Sequence, residues 1–317
     1  MSGDVSTSRE VPADIAGIVV LGMHRSGTSV VTRVLNLLGA RLGPESDFVH
    51  GPGNPDHWES QSLVACNDEI LLRFGGSWDV PPDLRPGWER SADAAPLLAR
   101  MRQAFGAVYP PGAEPWVWKD PRTCLTLPLW QQVLGPVAVV LVLRDPSAVI
   151  GSLRHRDNSS RLENLALWEH YTRSAVANAA GLPVVVVNFE TLSSDPPAAV
   201  RGLVASLADV GVHLGGSDSD AAAVVGVAAN RRVPAVTDLF GRRLRRAVMS
   251  LPPSSPCFEA RVPPQPRWSR ALLAERRVRL RVRPAIGRAV RRLRRRAVAP
   301  PPSASTLDSA NRCRRSG

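Results

Sequence analysis

Apolar and polar residues come in short alternating blocks along most of this chain. Residues 17–22, GIVVLG, form an apolar run with the length of a buried strand. Over 28–39, TSVVTRVLNLLG, apolar side chains fall at Val30, Val31, Val34, Leu35, Leu37 and Leu38. That is the spacing of a helix face, with Gly39 as the stop. Residues 43–60 are rich in Gly, Pro, Asn and Asp and read as a loop. A helix is expected over 61–74, irregular chain over 75–90 and a helix over 91–107. PWVWK at 115–119 reads as a second strand, with a helix after Pro121. VAVVLVL at 137–143, the longest uninterrupted apolar run, reads as a third strand with a helix after Pro146. A long helix over 162–180, a strand over 183–189 and a helix near 196–210 complete the series. Strands that are near-continuous apolar runs, alternating with helices, indicate a parallel sheet covered on both faces. The expected fold is α/β, with three layers.

Beyond residue 240 the composition changes. Residues 251–266 hold six prolines, 267–297 are dense in Arg, and 298–317 are rich in Pro and Ser. The expected division is a loose leader at 1–16, one domain at 17–240 and a basic tail at 241–317, part helical and part disordered. The charge follows this division. Residues 1–240 carry 19 Lys and Arg against 25 Asp and Glu, a net −6; residues 241–317 carry 21 against 3, a net +18. A mildly acidic body argues against a nucleic-acid-binding domain. No apolar run approaches the ~20 residues of a membrane span, and the first 16 residues have no apolar secretory core. Four cysteines without CxxC pairing exclude a zinc ribbon and point to reduced thiols in the cytoplasm. Lys119 is the only lysine beside 39 arginines. Biased codon usage explains the skew, but the exception marks a place where a guanidinium does not fit.

The strongest chemical signal is Gly22-Met23-His24-Arg25-Ser26-Gly27-Thr28-Ser29, between the first strand and the first helix. Such a turn aims several backbone N–H groups at one spot, and the helix N-terminus adds about half a positive charge there. An anionic phosphate suits it. The spacing G-x-x-x-x-G is that of a P-loop, but Thr28 stands where a nucleoside triphosphatase carries Lys. The loop places its cation at Arg25 instead.

LGMHRSGTSVV resembles the 5′-phosphosulfate loop of the sulfotransferases that use 3′-phosphoadenosine 5′-phosphosulfate (PAPS), in their bacterial and carbohydrate-type branches. Three further segments share the resemblance. VAVVLVLRDPSAVIGS carries Arg144 and, eight residues on, Ser152; in the family, Arg and Ser at this spacing bind the 3′-phosphate. Trp116-Val117-Trp118-Lys119-Asp120-Pro121-Arg122 is close to a segment of bacterial relatives, and Asn188-Phe189-Glu190-Thr191-Leu192 resembles the turn before the last core helix. The likeness covers about 17–212 and implies a P-loop-type fold. It implies donor contacts from Gly22, Arg25, Ser26, Gly27, Thr28 and Ser29 at one end and from Arg144 and Ser152 at the other. PAPS would be the donor, PAP the product, and no metal is required.

Sulfuryl transfer needs positioning, charge stabilisation and a base for the acceptor proton. The loop GNPDHWESQS offers Glu59 as base, with His57 as the alternative. The resemblance places a Glu of this kind near the acceptor, whereas a helix-capping role is the plain reading of Glu59. Lys119 either binds the sulfuryl or acceptor oxygens or closes a surface network with Asp120 and Arg122. His24 either donates a hydrogen bond beside the sulfate or is a satisfied buried histidine. The tryptophans are core residues, unless one or two near 58–88 stack on a sugar. The six histidines show no metal-ligand spacing.

These observations favour a sulfotransferase acting on a hydroxyl of a carbohydrate or lipid-linked acceptor. A P-loop nucleotide kinase is the alternative enzyme. A non-catalytic nucleotide-binding protein with an Arg-rich arm is the alternative of another class. In 267–297, Trp268, Leu272, Leu273, Val278, Leu280 and Val282 precede Pro284, and Ile286, Val290 and Leu293 follow among arginines. Three readings of this segment stay open: a solvated tail, an anionic membrane surface at the inner face, and, third in order, nucleic acid.

Overall fold

The computed structural model describes residues 15–50, 57–112, 115–157, 159–229 and 241–279. Its centre is a sheet of β1 (Gly17–Leu21), β2 (Trp116–Lys119), β3 (Val137–Leu143), β4 (Val184–Asn188) and β5 (Ser254–Ser255), in the order β2-β1-β3-β4-β5. The first four strands run parallel, with Val19 opposite Trp118 and Val139; β5 is antiparallel to β4. Side chains alternate across the sheet because the strand period is two. Ile18, Val20, Val140 and Val142 enter one apolar layer with Val34 and Leu35, whereas Val19, Leu21, Val139 and Leu141 enter the other. Helices therefore cover both faces, as the unbroken apolar runs require.

The helices are α1 (Thr28–Leu37), α2 (Gln61–Arg73), α3 (Leu97–Val108), α4 (Thr123–Trp130), α5 (Pro146–Asp157), α6 (Arg161–Asn178), α7 (Phe189–Ser194), α8 (Pro196–Asp209), α9 (Asp218–Ala229) and α10 (Arg242–Met249). α3 starts six residues later than expected, because 91–96 form turns closed by Ala94 N–H to the Ser91 carbonyl (3.1 Å). β4 stops one residue early. The Asn188 side chain accepts hydrogen bonds from the N–H groups of Glu190 and Thr191 and so starts α7 at Phe189.

The boundary expected at residue 240 is corrected by the packing. Leu244, Val248, Phe258 and Leu273 are fully buried in the same apolar layer as α4 and α6, and residues up to Ala274 form one compact unit. Each such side chain is worth about 1.5–3 kcal/mol of burial, so 241–274 belong to the body. Composition hid this because single apolar residues stand among Pro and Arg. The Pro-rich stretch also supplies a strand, β5, which pairs with the β4 edge. Residues 267–274 are helical, and Trp268, Leu272 and Leu273 turn inward to the core. These three side chains therefore do not form an exposed apolar stripe, which one of the three readings of this segment requires. Of the second unit, Glu275–Gly317, only 275–279 are described, a helical turn with an Arg279–Glu275 ion pair (2.6 Å). The remaining apolar and basic positions of that segment, and the leader at 1–14, lie outside the described residues. No described helix is long and apolar enough to cross a membrane.

Candidate active site

In the strand order β2-β1-β3-β4, the chain leaves β1 for one side and returns on the other. The switch point lies between β1 and β3, where sheets of this type bind ligands beyond the strand ends. Gly22–Ser29 follows β1 at that point. Arg25 has φ 70° and Gly27 φ 93°, both left-handed, a form rare for a residue with a Cβ and costing roughly 1–3 kcal/mol. It turns the chain sharply from β1 into α1, and the Ser26 N–H closes the turn on the Met23 carbonyl (3.0 Å). No side chain caps α1, so its first-turn N–H groups remain for a ligand. Space is tight. A Cβ at Gly27 would lie 2.2 Å from the Phe189 ring, and one at Gly22 2.8 Å from the Val142 carbonyl. The Gly22 N–H donates to Cys124 Sγ (3.2 Å), and burial pushes that thiol up to about 12.

On the β3 side, Arg25 Nε donates to Ser152 Oγ (2.8 Å), and Arg144 Nη1 donates to the Arg25 carbonyl (2.9 Å). Arg144 also lies 4.8 Å from the Phe189 ring centre. Its burial lowers the guanidinium pKa, with Glu190 opposing. Asp145 anchors the start of α5: it accepts from the Ser147 N–H (2.9 Å) and pairs with Arg245 of α10 (2.6 Å). Arg25, Arg144 and Ser152 thus meet in one cluster. The spacing along the chain separates the two anion subsites; the folded loop joins them through Arg25.

On the β2 side, Lys119 is 1% exposed and pairs with Glu59, itself 12% exposed, at 2.6 Å. Lys119 Nζ also donates to Ser29 Oγ (3.2 Å), which donates to the His57 carbonyl (3.3 Å). Glu59 is not the helix cap. Ser60 is, accepting from the Leu63 N–H. Nor does Lys119 join Asp120 and Arg122 in a surface network. Asp120 is buried and accepts from Arg122 Nη1 (3.1 Å) and Asn67 Nδ2 (2.8 Å), and Arg122 pairs outward with Asp68 (2.6 Å). Trp58, beside Glu59, has φ 52° and stacks edge-on with Phe48. This left-handed step bends the chain into α2 just ahead of Glu59.

His24 packs against Trp78 (4.8 Å between centroids) and Tyr171 (5.7 Å), and its Nε2 is buried without a hydrogen-bond partner among the described residues. It is therefore not the satisfied core histidine of one sequence reading. Burial first, then Arg122, Arg156, Lys119 and Arg25, hold its pKa well below 6.5. Burial also lowers His57, against the pull of Glu59. Trp78 is no free stacking platform, because Arg156 lies over its ring (5.0 Å) as His24 packs against it. Among the described residues, no His, Cys, Asp and Glu side chains form a group that could hold a metal ion.

Sequence reasoning missed Asn67, which is 0% exposed and hydrogen-bonded behind the Lys119–Glu59 pair. Its signal was available: one polar residue among Leu63, Cys66, Ile70 and Leu71 on the buried face of α2. Together the arrangement can grip a multiply charged anion on one side and handle a proton on the other.

The comparisons agree with this geometry at the level of family. No curated protein matches the chain. The solved structures that resemble it include the sulfotransferase domain of the Synechococcus PCC 7002 olefin synthase and sulfotransferase STF9 from Mycobacterium avium. Each is 15% identical with a TM-score of 0.37. The first alignment covers 84% of this chain and 96% of that one, the second 68% and 67%. A likeness so distant adds nothing to the assignment. A family model described as "Sulfotransferase family" matches residues 17–208. That is more than half of the chain, reaching from β1 into α8, and it shows that this protein belongs to the sulfotransferase family.

Proposed function

We propose that this sulfotransferase takes its sulfuryl group from PAPS and transfers it to a hydroxyl of a carbohydrate or lipid-linked acceptor. One observation carries the reading. The Arg25–Ser152–Arg144 cluster and the buried Lys119–Glu59 pair flank the same loop, Gly22–Ser29, with Ser29 bonded to Lys119. PAPS supplies the sulfuryl group and needs a site for two anionic ends. Arg25, Arg144 and Ser152 suit its phosphates, because planar guanidinium groups bind phosphate oxygens in pairs of charge-assisted hydrogen bonds. The N–H groups at the uncapped start of α1, from Gly27 to Ser29, add uncharged donors that need no reorganisation. The tight packing around Gly22 and Gly27 keeps that cradle in shape.

Glu59 takes the proton of the acceptor hydroxyl. Lys119 turns the Glu59 carboxylate toward the loop and, through Ser29, ties it to the donor side. Burial and the neighbouring cations disfavour a protonated His24, which makes that imidazole a poor proton acceptor beside Glu59. A compact ammonium fits this buried space between Ser29 and Glu59, which accounts for the single Lys in an Arg-rich chain.

The deciding experiment is ligand-dependent melting. PAP at one hundred times its Kd should stabilise the protein by about 2.7 kcal/mol, and ATP with magnesium should do much less. A larger response to ATP than to PAP overturns the reading. Transfer of labelled sulfate from PAPS to a panel of cell-envelope glycans and lipids then identifies the acceptor.

A further inference from the structure

Asn67 lies on α2, in the second turn beyond Glu59 and the Ser60 cap. All four of its hydrogen-bonding positions are used. Nδ2 donates to Asp120 Oδ2 (2.8 Å) and Thr123 Oγ1 (3.2 Å); Oδ1 accepts from Thr126 Oγ1 (2.6 Å) and Trp130 Nε1 (2.8 Å). The amide orientation is forced, because an indole N–H only donates and a carboxylate only accepts. Asn67, Thr123 and Thr126 are 0% exposed, as is Trp130. A buried polar group of this kind costs several kcal/mol if unpaired and specifies one arrangement when fully paired.

What it specifies is the distance between two segments. α2 carries Glu59 just before its first turn. The chain leaving β2 carries Lys119 and, next to it, Asp120. Asp120 also accepts from the backbone N–H of Arg122 (2.9 Å), which fixes its own backbone. At the other end of the helix segment, Ser60 and Ser62 both donate to Asp47, which holds the N-terminus of α2 against residues 45–47. The helix can therefore neither slide nor roll against β2 without breaking the bonds to Asn67.

We propose that Asn67 is a positioning residue that holds Glu59 and Lys119 in register by locking α2 to the Asp120 turn. The proposal rests on the reading of those two residues as the proton-handling pair. It acts through their alignment and touches neither the donor nor the acceptor.

The chain's single lysine makes the test direct. Biosynthetic labelling with lysine carrying carbon-13 at Cε yields one resonance, that of Lys119, in the intact protein. Glu59→Gln calibrates the resonance of a broken pair. Asn67→Ser should move the resonance most of the way to the Glu59→Gln position. Leu71→Ala, a cavity on the same helix, should leave it at the wild-type position although it costs stability. Asn67→Asp sets two carboxylates against each other and should move it too. The exchange variant Asn67→Asp with Asp120→Asn re-forms the hydrogen bond in the opposite sense and should return it. A wild-type resonance in Asn67→Ser, an equal displacement in Leu71→Ala, or no return in the exchange variant overturns the proposal. PAP-dependent melting, measured on the same samples, is expected to be unchanged in Asn67→Ser. Its absence in the wild-type protein would count against the donor reading and leaves the resonance test standing by itself.

Discussion

The two flanks of the loop are built differently. On the β3 flank, Arg25 is exposed, and the site takes its shape from backbone: left-handed turns at Arg25 and Gly27 and the uncapped start of α1. On the β2 flank, Lys119 is buried, and the site takes its shape from side chains stacked behind one another, Glu59 on Lys119, then Asp120 on Asn67. An exposed guanidinium can move to meet a charged ligand, and water screens it meanwhile. A buried ammonium cannot move without stranding its partner. Under the proposed function, the first flank suits capture and the second suits holding a proton acceptor still.

This contrast can be broken by substitution. The largest expected effect is on the buried flank. Glu59→Gln should lower sulfate transfer by roughly 10²–10⁴ with PAP-dependent melting close to wild type. Full turnover of that variant removes Glu59 as the base. Lys119→Met should come next, because removing one partner of a buried pair costs about 3–5 kcal/mol. Urea denaturation measures this. A loss below about 1 kcal/mol, the scale of a surface pair, would place the pair with the exposed flank.

The β3 flank, where Arg25 is exposed and Arg144 half-buried, should respond in binding rather than in stability. Arg144→Ala and Arg25→Ala should each weaken PAP binding by about 1.5–3 kcal/mol, one charge-assisted hydrogen bond apiece, as read by calorimetry. Unchanged affinity in both would detach the cluster from the donor.

The smallest effect sharpens the comparison through pH. His24 has a folded pKa held below its ordinary 6.5 by burial and by neighbouring cations. The unfolded chain therefore binds a proton first as pH falls, so stability is present above 6.5 and declines below it, at up to about 1.4 kcal/mol per pH unit. His24→Phe should remove that share of the slope between pH 6.5 and 5.5 in denaturation curves. An unaltered slope would mean that the imidazole takes up its proton in the folded protein at the same pH as in the unfolded chain.

Much of the architecture was legible before any coordinate. VAVVLVL, short, β-branched and bounded by Pro136 and Arg144, reads as a strand buried on both faces, and TSVVTRVLNLL reads as an amphipathic helix, because period, length and flanking residues are local properties. The proposed loop chemistry is equally local, since a strand, a glycine-rich turn and a helix start can build an anion site from adjacent residues. The body's extent was not legible. Phe258 and Leu273 are isolated apolar residues in Pro- and Arg-rich sequence, and nothing nearby shows that they fill the core.

The sequence by itself determined the layered α/β fold and the glycine-rich turn into α1, because each follows from spacing within a dozen positions; it offered Arg25, Glu59, Lys119, Arg144 and Ser152 as site candidates and passed over Asn67. Only the tertiary structure decided which of those residues meet. Lys119 could equally have bound Asp120 and Arg122, and Glu59 could have capped α2. The choice of Lys119 with Glu59 joins positions 60 apart in the chain. It depends on where α2 rests against β2, and packing across the sheet sets that, together with the demand that every buried polar group find a partner.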